Sequence, residues 1–210
     1  KNISRRKFIA GAATAAAGFT IVPRHVLGRG FIAPSDKLNI AGVGIGGAGG
    51  NNVTAASKTE NIIALCDVDW KYAAKKFGEF PKAQKFKDFR KMYDKIGKDI
   101  DAVVVGTSDH THAIVASQAM KLGKHVYVQK PLTHSVYESR HLTKLANEQG
   151  VATQMGNQGN SGEGIRKVCE WIWDGAIGEI KEVHSWTNRP IWPQGLERPD
   201  EAMKCPDTLD

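Results

Sequence analysis

The chain has 210 residues, of which 41% are hydrophobic, 24% charged and 8% aromatic, with 22 glycines but only 8 prolines. This is globular composition, and it excludes intrinsic disorder, a collagen-like repeat and a disulfide scaffold. The net charge of +7 does not point to a polyanion, because residues 1–30 hold six of the 29 basic residues and no acid, leaving 23 basic against 22 acidic residues elsewhere. No nucleic-acid partner is expected on that balance, and no run of about 18 strongly apolar residues offers a stable membrane span.

The basic residues of the leader have a pattern. Ser4-Arg5-Arg6-Lys7-Phe8-Ile9 places an arginine pair directly before an Ala/Gly-rich apolar stretch over residues 8–22, and Ala15-Ala16-Ala17 supplies small residues. Residues 1–30 read as a twin-arginine signal with its linker, against the plainer alternative of a basic amphipathic helix. The expected partner is the bacterial twin-arginine export machinery, and the expected location is periplasmic or otherwise exported. Cys66, Cys169 and Cys205 are odd in number and lack metal-ligand spacing, so neither a disulfide framework nor a metal site is expected.

From residue 37 short apolar runs alternate with helical segments. Strands are predicted over 38–43, 61–66, 81–86, 100–105, 124–128 and 151–154, and helices over 51–58, 72–78, 89–96, 112–122 and 135–149. Strand–helix alternation of this kind gives an α/β fold with a parallel sheet. Beyond Gly156 a polar loop leads to an aromatic helix through Trp171 and Trp173, for which core packing is the first expectation. A strand is predicted over 177–186. Residues 36–155 read as one domain, and 156–210 as the incomplete beginning of a second α/β domain.

The strongest local pattern is Gly44-Ile45-Gly46-Gly47-Ala48-Gly49, lying after a strand and opening a helix. Gly42, Gly44 and Gly47 provide a second frame, and the physics is common to both. Glycines permit the tight turn and the close approach of backbone to a pyrophosphate, while the helix start offers free N–H groups to the anion. Asp67 ends the second strand, 23 residues after Gly44, where an acid hydrogen-bonds ribose hydroxyls. The expectation is a Rossmann-type doubly wound sheet that binds NAD. NADP stays open as an alternative, with Asp69 and Lys71 nearby.

Two further segments follow strands. Gly106-Thr107-Ser108-Asp109-His110-Thr111-His112 faces the ligand crevice of an open sheet, so Thr107 and His112 are candidates to line the cofactor. Helix capping by Asp109 or Thr111 explains the same residues, and no carboxylate or cysteine completes a metal set around the histidines. Gln129-Lys130-Pro131 follows the fifth strand. A lysine partly withdrawn from water there would exchange protons near neutral pH, although a surface lysine is the commoner fate.

This combination resembles the glucose–fructose oxidoreductase / inositol dehydrogenase (Gfo/Idh/MocA) family. The residues that carry the resemblance are the glycine cluster, Cys66-Asp67-Val68-Asp69, the segment 107–112, and Gly123-Lys124-His125-Val126 leading to Lys130-Pro131. The resemblance implies an NAD(P)-dependent oxidoreductase acting on a sugar or polyol by hydride transfer. Lys130 would contact cofactor and substrate, ahead of a proline that is commonly cis. It also implies a second domain with an open, mainly antiparallel sheet, and a homo-oligomer for the full-length protein. The family signature is Glu-Lys-Pro, so Gln129 departs from it. Asn157, Gln158, His184 and Arg189 are candidates to line a sugar site. The rival readings are an NAD-dependent glycosidase that oxidises its sugar transiently, and a non-catalytic dinucleotide-binding fragment.

Overall fold

The computed structural model describes residues 33–189, 195–198 and 202–209. Residues 1–30, read from the sequence as a twin-arginine signal, lie outside the described residues, as do Pro190, Ile191 and Trp192. Six strands form one sheet: β1 (Asn39–Val43), β2 (Asn61–Cys66), β3 (Gln84–Phe86), β4 (Ala102–Val105), β5 (His125–Gln129) and β6 (Thr153–Gly156). Their spatial order is β3-β2-β1-β4-β5-β6, and each neighbouring pair is parallel. This is the doubly wound Rossmann order, in which the chain reverses direction across the sheet between β1 and β4.

Alternating side chains bury both faces of the sheet. Ile40, Leu65 and Val104 join Val53 and Phe77 on one side. Ala41, Val43, Ala64, Cys66, Val103 and Val105 join Met92, Met120, Leu142 and Leu145 on the other. The first side is covered by α1 (Ala48–Ala56) and α2 (Ala74–Glu79), and the second by α3 (Phe89–Ile96), α4 (His112–Lys121) and α5 (Val136–Gln149). A two-residue period with apolar residues in both phases is what a parallel strand covered on both faces requires. Met92 is wholly buried; truncating such a residue to alanine costs about 2–5 kcal/mol.

Local signals set the helix ends. Ser135 accepts from the Glu138 amide at 3.3 Å while Glu138 accepts from the amides of Ser135 and His134, a capping box that starts α5. Gly150 ends it at φ 62°, a left-handed conformation that side chains disfavour. The Val151 amide then bonds back to Ala146, so β6 starts at Thr153 rather than at 151 as the apolar pattern suggested. At α4, Thr111 does not cap; its hydroxyl donates to the Ser108 carbonyl at 2.8 Å.

After β6 two expectations are corrected. Residues 177–186 form no strand: Val183 and Trp186 are more than 80% exposed, and no neighbouring strand among the described residues pairs with this segment. Alternation marks a strand only where a partner supplies the other half of the ladder. The helix α6 (Glu163–Trp173) forms, but Trp171 and Trp173 are exposed rather than packed in a core.

Candidate functional site

Register puts the site together. Val43 pairs with Val105 in the β1–β4 ladder, so the turns after both strands emerge at one level. The ladder continues one step beyond the strands, with Gly106 N–H bonding Val43 (2.8 Å), Gly44 N–H bonding Cys66 (2.9 Å) and Asp67 N–H bonding Phe86 (3.1 Å). At Gly44, φ is +75°, and a Cβ would stand 2.5 Å from the Thr107 nitrogen. The first glycine turn therefore lies against the turn after β4, with no room for a side chain between them. Gly49 closes the packing from the helix side: a Cβ there would stand 2.2 Å from the Gly44 oxygen and 2.9 Å from Gly106 Cα.

Asp67 joins β2 to this turn. Its Oδ2 accepts from the amides of Ile45 and Gly46, both at 2.8 Å, while Oδ1 accepts from the Asp69 amide at 3.0 Å. The carboxylate is 9% exposed. Two amides converging on one oxygen fix the side chain and leave Oδ1 with acceptor capacity toward the cleft.

Beside it opens a cleft of about 460 Å³, lined among others by Gly44, Gly46, Gly47, Asp67, Tyr72 and Thr107. Of the sequence candidates, Ile45 is buried beneath the turn, offering its amide to Asp67. Ala48 begins α1, and Gly49 is buried behind the turn. No side chain caps α1; the Gly50 amide bonds the Gly47 carbonyl at 3.0 Å, and the amides ahead of it at the helix start are available to an anion, with the helix dipole behind them. The buried Thr107 Oγ1 has no hydrogen-bond partner among the described residues. A glycine cradle, a fixed carboxylate, uncapped amides and an orphaned hydroxyl together fit a dinucleotide.

His112 is placed differently. It is wholly buried and does not line the cleft. Its ring lies between two carbonyls, Nδ1 2.6 Å from the Pro131 oxygen and Nε2 3.0 Å from the Thr107 oxygen. A neutral ring donates to one of them and a doubly protonated ring to both. Either way the imidazole ties the turn after β4 to the turn after β5. The Lys130–Pro131 bond in that second turn is cis.

Lys130 is exposed and lies outside the cleft lining, so the described residues do not provide the withdrawal from water that the sequence suggested. The amide of Gln129 sits in a neutral network. Its Oε1 accepts from Asn52 Nδ2 at 3.0 Å and from Gln158 Nε2 at 2.9 Å, and Gln158 Nε2 also approaches Tyr127 Oη at 3.2 Å. Gln158 is thus brought next to the end of β5, with its amide nitrogen engaged by protein. Asn157 is exposed and its carbonyl closes the short turn to Asn160. His184 pairs with Glu182 at 3.1 Å on an exposed segment that also carries Arg189, and neither His184 nor Arg189 lines the cleft. Among the described residues no cluster could hold a metal ion, and no helix is long and apolar enough to cross a membrane.

Sequence reasoning passed over Tyr72, Lys87 and Phe89, which line the cleft, and the Asn52–Gln129–Gln158 network. Asp69, two residues beyond Asp67, was the available signal for Tyr72: its carboxylate makes the turn that sets that residue.

The sequence model of the oxidoreductase family with an NAD-binding Rossmann fold, GFO_IDH_MocA, matches residues 38–157. The chain belongs to this family. Its Rossmann domain is of the NAD-binding type, and the matched span takes in the glycine turn, Asp67, Thr107 and Lys130. Among curated relatives, the chain is 33% identical over 101 residues to the 2,7-anhydro-N-acetylneuraminate hydratase of Escherichia coli, covering 48% of this chain and 27% of that protein. It is 29% identical over 170 residues to glycosyl hydrolase family 109 protein 1 of Akkermansia muciniphila, covering 75% of this chain and 35% of that protein. The structure resembles that of scyllo-inositol dehydrogenase from Lactobacillus casei with bound NAD(H) and scyllo-inositol. That match has a TM-score of 0.61 and 22% identity, and it covers 68% of this chain and 43% of the other. The chain thus spans well under half the length of these relatives.

Proposed function

We propose that the chain is the cofactor-binding part of an exported NAD-dependent oxidoreductase that acts on a sugar or polyol. The observation that carries the cofactor half of this reading is the Asp67 carboxylate, fixed on the amides of Ile45 and Gly46 at the edge of the cleft. A fixed carboxylate accepts the ribose hydroxyls of NAD and repels the 2′-phosphate of NADP. Export to the periplasm through the twin-arginine machinery rests on Arg5-Arg6 and the apolar stretch behind them. The substrate class rests on the hydroxyl-rich molecules named for two of the relatives, 2,7-anhydro-N-acetylneuraminate and scyllo-inositol, and homo-oligomer formation on the family resemblance.

When bound, the nicotinamide supplies a hydride acceptor or donor. The work of the chain is to position the reactants. The turn after β4 walls the cleft through Thr107, and His112 holds that turn to the turn carrying Lys130. On the family resemblance, Lys130 takes up the proton that the substrate hydroxyl loses as the carbinol carbon gives up its hydride, and returns it in the reverse direction. Replacing Lys130 with alanine is expected to lower turnover about a hundredfold or more and to leave NAD affinity within about twofold. Equal losses in both would overturn the role.

A second reading is favoured by the coverage of the glycosyl hydrolase family 109 relative, which matches three quarters of the chain. In that reading the sugar is oxidised, loses its aglycone and is reduced again on the same cofactor. Aglycone release without net NADH would select it, and NADH accumulating in step with substrate would select the dehydrogenase.

A further inference from the structure

Tyr72 lines the cleft from outside the glycine motif. Asp69 Oδ1 accepts from the amides of Lys71 and Tyr72, both at 3.0 Å, and this turn directs the phenol back over the glycine turn. A Cβ on Gly46 would stand 2.2 Å from Tyr72 Cδ1 and 2.6 Å from Cε1, so the ring fills the space that a side chain at position 46 would take. At Gly47 the nearest atom to such a Cβ would be the Tyr72 hydroxyl, at 3.4 Å. The hydroxyl makes no hydrogen bond among the described residues, and Tyr72 is 66% exposed.

These facts bear on how a pyrophosphate is held. The amides of Ile45 and Gly46 are committed to Asp67. The donors left at this turn are the amides of Gly47 and of the start of α1 at Ala48, since the Gly50 amide bonds the Gly47 carbonyl at 3.0 Å. The Tyr72 hydroxyl lies beside them, on a ring seated where only a glycine leaves room. We propose that Tyr72 is a cofactor-contact residue whose hydroxyl donates to a pyrophosphate oxygen of the bound dinucleotide, alongside the amides of Gly47 and Ala48. The ring rests on Gly46. The inference rests on the NAD-binding assignment of the cleft and assigns it a donor outside the glycine motif.

The test is a set of dissociation constants for NAD, ADP and adenosine, measured by calorimetry on the full chain and on Tyr72→Phe, with circular dichroism melts to show that both are folded. Loss of a hydrogen bond to a charged group predicts NAD and ADP binding weaker by about tenfold or more in Tyr72→Phe. Adenosine, which carries no phosphate, stays within about twofold. Gly46→Ala, which displaces the ring, is expected to weaken NAD at least as much. Unchanged affinity for NAD and ADP overturns the proposal, as does equal weakening of adenosine. Tighter binding by Tyr72→Phe also overturns it, because the phenol would then be an obstacle. A folded wild-type chain that binds none of the three overturns the dinucleotide assignment itself, a result distinct from any difference between the variants.

Discussion

Asp67 Oδ2 lies 2.8 Å from the amide nitrogen of Ile45, so the acid that follows β2 also holds the glycine turn that follows β1. The same carboxylate gives the cleft a fixed negative charge. Bringing a like charge against such a group costs several kcal/mol, which disfavours the 2′-phosphate of NADP. Asp67→Asn keeps an oxygen acceptor for the turn but removes the charge. Its preference for NAD over NADP is expected to narrow by about tenfold or more, measured as the ratio of the two dissociation constants. A ratio equal to the wild type's would show that another group selects the cofactor.

The contact between the glycine turns predicts a steric effect with an internal control. Gly49→Ala forces a methyl group against the Gly44 carbonyl, a backbone atom that has no rotamer to escape into. Overpacking of this kind costs about 1–3 kcal/mol, and the urea midpoint should fall accordingly. Gly159→Ala, where nothing lies within 4 Å, should leave the midpoint nearly unchanged. Equal midpoints for the two variants would contradict the packing described.

Asp88 caps α3. It accepts from the Arg90 amide at 2.9 Å and takes the Arg90 guanidinium on both oxygens. The guanidinium above all, and then that amide, hold its carboxyl below the usual carboxylate range. Because the folded-state pKa is depressed, this stabilisation is present above the unfolded value of about 4 and is lost as pH falls through the lower, folded value. Asp88→Ala removes a cap worth about 0.5–2 kcal/mol at neutral pH. The difference in melting temperature between variant and wild type should shrink on acidification, and a pH-independent difference would assign the effect to something other than the charge.

Cys66 lines the cleft wall yet is buried. Burial, reinforced by the charges of Asp67 and Asp88, pushes its thiol up to about 12. Since the thiolate is the nucleophile, iodoacetamide at mildly alkaline pH should spare Cys66 in the native chain and modify the exposed Cys205. Mass spectrometry of peptides from native and urea-unfolded samples reads this directly. Rapid native labelling of Cys66 would show the cleft wall to be open.

The parts of the molecule that were legible in the sequence are those fixed by neighbours along the chain. Asn61–Cys66 and Phe89–Ile96 fall where the periodicity places them, and the glycine turn with Asp67 follows from spacing, because a strand–turn–helix unit is local. Residues 177–186 alternate like a strand but have no partner among the described residues, and alternation cannot report a missing ladder. The link from Asn52 through Gln129 to Gln158 spans 77 and 106 positions, and His112 between Thr107 and Pro131 joins two separate turns. Such contacts are made by the order of strands in the sheet, which no periodicity encodes. Tyr72 was hidden for a related reason, since its role depends on where the Asp69 turn sends its ring.

The most direct test of the account is a calorimetric NAD titration of the folded chain beside Asp67→Ala. That substitution removes the ribose acceptor and leaves the amides of Ile45 and Gly46 without their partner. Saturable one-to-one binding by the wild type, weakened more than about tenfold in the variant, is the predicted result. Equal binding by both, or none by a wild-type chain that shows a cooperative melt, would contradict the central place given to the contact between Asp67 and the glycine turn.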